Sequence, residues 1–111
     1  MRIINRQEFL TLPEGTVFSE YEPCAFTGLF IKIGDCLLDD YFELPLVGNV
    51  KCRGSEGFIE ILEQARKSGE GFDLDFDGGE RNGCFEDEQL YAVYDRQDIQ
   101  QLIERLKECL Q

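Results

Sequence analysis

Five apolar residues toward the end of the chain, Ile99, Leu102, Ile103, Leu106 and Leu110, recur at +3, +4, +7 and +11. That spacing lays one stripe along one side of a helix, and such a helix obliges the rest of the chain to supply an apolar surface for it. Asp95, with Asp98 three residues later, is a start signal, so a helix is predicted over about 96–110. Two more segments keep the helical period. Asn5 with Glu8 opens a short helix over 6–12 that carries Phe9, Leu10 and Leu12 and stops at Pro13. Ser55 caps a helix over about 56–68, with Phe58, Ile59, Ile61, Leu62 and Ala65 on its apolar side and Gly69 suited to the left-handed position after its end.

Between these helices the period shortens to two. Thr16–Glu22 alternates around Val17 and Tyr21, and Gly28–Ile33 carries Leu29, Phe30, Ile31 and Ile33. Tyr41–Val50 reads as a strand interrupted by Pro45 and Gly48, which predicts an edge, a bulge or a bend. Phe72–Asp77 alternates Phe72, Leu74 and Phe76 against Asp73, Asp75 and Asp77, and Gln89–Tyr94 supplies a last strand. The expected order is α-β-β-β-α-β-β-α. Strands joined by short turns favour antiparallel pairing, so the fold class is α+β with a mainly antiparallel sheet.

The 111 residues predict one domain over 1–111, since domains most often hold about 100–150 residues. Surface scaling gives about 6,300 Å² exposed when folded and about 18,500 Å² unfolded, so about two-thirds of the surface is open to burial. Apolar residues at 42% and aromatic residues at 12% fit a folded chain. The charge is lopsided: 23 Asp and Glu against 11 Lys and Arg, a net of −12. Such a chain is not expected to bind DNA, RNA or an anionic membrane, which need basic contacts. No apolar run is long enough for a signal peptide or a membrane span. Cys24, Cys36, Cys52, Cys84 and Cys109 are odd in number and contain no C-x-x-C pair, which suits free thiols in a cytoplasmic protein.

The sequence contains no histidine, which removes the commonest general base and the commonest neutral metal ligand. No phosphate-cradling glycine motif is present. Asp73-Leu74-Asp75-Phe76-Asp77-Gly78 reproduces the first six positions of a calcium loop, but the twelfth is Cys84 where a bidentate Glu is needed, and the eighth is Glu80 where an apolar residue is usual. No catalytic residue, metal site or cofactor is therefore expected.

The acidity is concentrated. Residues 70–88 carry eight acids and one base, a net of −7, against −5 for the other 92 residues. A block so dense opposes folding by self-repulsion. Asp73, Asp75 and Asp77, about 6.6 Å apart along a strand, would form a regular row of negative charge. With Glu86, Asp87 and Glu88 they are the candidate partner-binding face, imitating nucleic-acid phosphate toward a basic protein surface. The solubilising edge strand is the plainer alternative. A second candidate is the turn at Arg81, Asn82 and Phe85, where Asn82-Gly83 permits a tight reversal. Together with Tyr91 and with Arg53 ahead of the second helix, it could stack on and charge-pair with a small nucleotide.

Two blocks, EFLTLPEGTVFSEYEPCAF followed by GLFIK over 8–32 and RNGCFEDEQLYAVYDRQDIQQLIERL over 81–106, resemble small accessory proteins of tailed phages and prophages. The blocks cover about half the chain and contain no catalytic signature. The resemblance implies a non-enzymatic protein of the host-cell cytoplasm that acts by binding. In a counter-defence role, such proteins mimic DNA to block host nucleases or sequester the nucleotide signals of host defence. The leading expectation is a basic host protein as partner. A nucleotide sponge and a structural or assembly protein, in which a homo-oligomer forms, are the alternatives.

Overall fold

The computed structural model describes residues 1–36, 40–47, 50–82 and 86–110. Nine elements follow one another among them: β1 (Arg2–Asn5), α1 (Arg6–Leu10), β2 (Val17–Glu22), β3 (Ala25–Cys36), β4 (Asp40–Pro45), α2 (Gly54–Ser68), β5 (Glu80–Arg81), β6 (Leu90–Tyr94) and α3 (Arg96–Glu108). The strands form one antiparallel sheet in the order β1-β6-β2-β3-β4-β5. The fold is α+β, as the sequence predicts. Its element order adds one strand to the expected one, and one expected strand forms at a different place.

The first is β1, which precedes α1 and pairs Ile4 with Tyr91 at the sheet edge. Its signal is only the β-branched pair Ile3-Ile4. The second is the expected strand over Phe72–Asp77. It does not form: Leu74 makes one isolated bridge to Val50, and the chain pairs with β4 only later, at Glu80–Arg81. The Asp75 carboxylate accepts hydrogen bonds from the backbone N–H groups of Asp77 (2.9 Å) and Gly78 (3.2 Å). This local turn competes with a strand ladder and bends the segment out of line. The interruption of the third predicted strand is found, with β4 ending at Pro45; Gly48 lies outside the described residues. α2 starts at Gly54 with Arg53 as its cap residue and no side-chain cap, rather than on Ser55, and Gly69 closes it in the left-handed conformation.

Register sets the two faces. Antiparallel partners point to the same side. Ile4 with Tyr91, Val93 with Phe18, Phe18 with Phe30, and Lys32 with Glu43 therefore share one face. Ile3, Ala92 and Ser19, and Val17, Ile31 and Leu44, share the other. α1 is short, but it closes the first face with one ring. Phe9 stacks on Tyr91 at 4.0 Å between centroids and meets Phe18 and Tyr41 edge-on at 4.6 and 5.0 Å. Arg6 donates to the Tyr91 hydroxyl at 2.8 Å. The fully buried Lys32 donates to the carbonyls of Phe9, Leu10 and Leu12 at 3.4, 3.2 and 2.7 Å, at and just past the end of α1, where the Phe9 carbonyl also accepts from the Leu12 N–H at 3.0 Å.

On β3, Gly28 takes a φ of +72° where the register with β2 shifts. A Cβ there would drive into the Phe30 ring, so the bulge requires glycine. The core that results is small. Its buried apolar residues are Ile4, Phe9, Phe18, Tyr41, Tyr91, Ala92 and Val93, and neither α2 nor α3 buries a residue completely.

Candidate functional site

The acidic segment lies largely outside the sheet, and its apolar residues are not in the core. Asp73 and Asp77 are exposed, as are Phe72, Leu74 and Phe76, with Phe76 at 63%. Carboxylates and apolar side chains therefore both face solvent along one stretch of irregular backbone. Asp75 is half-buried and committed to the turn, so the regular row of three aspartates does not exist. The stretch is held at its start, where Lys51 N–H donates to the Asp73 carbonyl at 3.0 Å beside the Val50–Leu74 bridge. Glu86, Asp87 and Glu88 are exposed on a turn closed by the Gln89 N–H to the Glu86 carbonyl at 3.1 Å.

This strap also lines an open groove against α2. The groove holds about 710 Å³ and is walled by Glu60, Glu63 and Gln64 on one side and Glu70, Gly71 and Phe72 on the other. Lys51 and Lys67 enter it among more numerous acids. The groove is open along its length, and it presents mixed charge rather than a concentrated anion site.

Two members of the nucleotide constellation, Tyr91 and Asn82, are committed to the fold. Tyr91 is buried in the core, stacked on Phe9 and hydrogen-bonded to Arg6, so its ring has no free face for a ligand. Burial raises its hydroxyl pKa and that of Tyr41, which lies 3.3 Å away. Asn82 is half-buried and structural: its N–H donates to the Tyr41 carbonyl at 3.0 Å and its amide to Glu43 at 3.4 Å. Arg53 is exposed ahead of α2, and the backbone of Arg81, in β5, pairs with Phe42 of β4. Phe85, with Gly83 and Cys84, lies outside the described residues.

Sequence reasoning missed the buried polar layer formed by Arg6, Lys32, Asp40 and Glu43 beside Tyr41 and Tyr91. Lys32 gives no sequence sign of this, standing at an inward position of an apolar strand. Among the described residues no group of three or more acidic or sulfur side chains is placed to hold a metal ion. Cys24, Cys52 and Cys109 are free and exposed. No helix among the described residues is long and apolar enough to cross a membrane. No family model, curated protein or solved structure matches the chain.

Proposed function

We propose that this chain is a non-enzymatic binding protein that docks on a basic surface of a partner protein through the strap, over 70–77 and 86–88. The observation that carries this reading is the alternation of exposed carboxylates, Asp73 and Asp77, with exposed apolar side chains, Phe72, Leu74 and Phe76. A purely solubilising segment has no use for three apolar side chains in water, whereas an interface uses aromatic anchors at its centre and charge around them. Glu86, Asp87 and Glu88 extend the charge. The absence of histidine and the engagement of Tyr91 and Asn82 within the fold favour this reading over catalysis and over a nucleotide sponge. The resemblance to phage accessory proteins supplies the setting: a host protein as partner, with a counter-defence outcome.

The test is capture of a partner from host lysate at low salt, repeated with charge reversals. Asp73→Lys with Asp77→Lys should reduce retention at least tenfold. Glu22→Lys with Glu56→Lys changes the net charge equally outside the strap and its groove and should not. Retention should also fall as salt shortens the screening length to a few ångströms. Equal loss in both variants, or none in either, contradicts the proposal.

A further inference from the structure

The most extensive uncovered helical stripe is on α3. Ile99 and Leu102 are half-buried, but Ile103 and Leu106 project into solvent, Leu106 at 68%, as does Leu110 at 85% in the turn just past the end of α3, where its N–H donates to the Lys107 carbonyl at 3.1 Å. Ile99, Ile103, Leu106 and Leu110 are separated by four, three and four residues. This is the seam with which one helix packs its side chains into the gaps of another. Packing on a sheet does not require it. Met1 and Ile3 are also exposed: the Met1 ammonium is held to Asp95 and Asp98 at the start of α3. Ile3 lies on β1, on the sheet face opposite α1.

We propose that the seam is covered by α3 of a second copy of this chain, packed antiparallel about a two-fold axis. In that arrangement Ile103 of each copy meets Leu106 of the other, and Ile99 meets Leu110, so one stripe completes both copies. Area and charge choose this occupant. The folded chain exposes 8226 Å², against about 6,300 Å² expected for its mass, an excess of about 1,900 Å². Permanent homodimers bury about 1,000 Å² or more per partner, so this surplus, to which the strap and α2 also contribute, leaves room for such an interface around the α3 seam. The radius of gyration, 16.1 Å against about 13 Å for a compact chain of this length, points the same way.

Two copies carrying −12 each repel unless they meet where charge is balanced. α3 is that place. Arg96, Arg105 and Lys107 balance Asp98, Glu104 and Glu108, so the helix is neutral in a strongly acidic molecule. A basic partner would find little to attract it there, and the strap remains free on a different part of the chain.

Sedimentation equilibrium tests this directly. The wild-type chain should sediment at twice 12.8 kDa. Leu106→Glu with Leu110→Glu should associate at least a hundredfold more weakly and keep its circular dichroism. Leu106→Gln with Leu110→Gln, which preserves helix propensity, should weaken association in the same direction if the glutamates disturb the helix itself. Asp73→Lys with Asp77→Lys should leave the mass unchanged, which separates this proposal from the one about the strap. A wild-type monomer at high concentration overturns the inference. So does a dimer that survives both α3 variants, or one dissolved only by Ile33→Glu with Phe42→Glu on the sheet.

Discussion

Lys32 shows how one residue can decide where a short helix ends. A helix as short as α1 has little internal hydrogen bonding to stabilise it, so the carbonyls at its end that no backbone N–H reaches must find donors elsewhere. The buried ammonium of Lys32 supplies them. It also lies 5.3 Å from the Phe9 ring centroid and pairs with the exposed Asp35 at 3.0 Å, which keeps the charge in contact with a solvated partner. Lys32→Met keeps the length of the side chain and removes the donors. It should lower stability by about 2 kcal/mol, the cost of leaving buried acceptors unmatched. The urea midpoint checks this: an unchanged midpoint would mean that the end of α1 is satisfied without Lys32.

At the scale of elements, α3 is the part most plainly written in the sequence. Asp95 and Asp98 form the full reciprocal capping box. Its charge is tied to Met1, whose ammonium lies 2.8 Å from Asp95 and 2.7 Å from Asp98. That ammonium, and next the Asp98 N–H, hold the Asp95 carboxyl down to about 2 from its ordinary 3.8. Hydrogen bonds to Asp95 and Asp98 raise the Met1 amine above its ordinary 8.0. A depressed carboxyl contributes stability above its unfolded value and loses it as pH falls through its folded value. A raised amine contributes below its unfolded value and loses it as pH rises through its folded one. The start of α3 is therefore best supported between about pH 4 and pH 8. Asp95→Asn keeps the capping oxygen without the charge. Its thermal midpoint should lie below that of the wild type near neutral pH and converge with it toward about pH 2. A gap that stays constant to low pH would remove the ion pair from the account.

The other elements were legible in proportion to how local their causes are. The caps of α1 and α3 and the left-handed Gly69 follow from residues within one turn. β1 was not legible, because four residues acquire strand character only by pairing with β6, nearly ninety residues away. Phe72–Asp77 misled for the converse reason. Its alternation is that of a half-buried strand, but Asp75 turns the backbone and β5 takes the edge of β4 that it would have used. The candidate site was legible as charge and not as shape. Which acids cluster is a count along the chain, whereas the exposure of Phe72 and Phe76 and the burial of Tyr91 depend on the tertiary fold.

The whole molecule divides its work between a small aromatic core and large uncovered surfaces. One face of the sheet is sealed by Phe9 and a buried polar layer. Beyond it stand a neutral amphipathic helix and an acidic strap studded with apolar side chains. Both surfaces are suited to contact. The charge is partitioned accordingly, with −7 on the 19 residues of the strap region and none on α3. The central claim is that the strap is the surface a partner covers. Amide hydrogen exchange of the chain, alone and with its captured partner, measures this most directly. Protection should rise over 70–77 and 86–88 and remain unchanged in the core strands β2 and β6. Protection elsewhere, with the strap exchanging as fast as in the free chain, would contradict it.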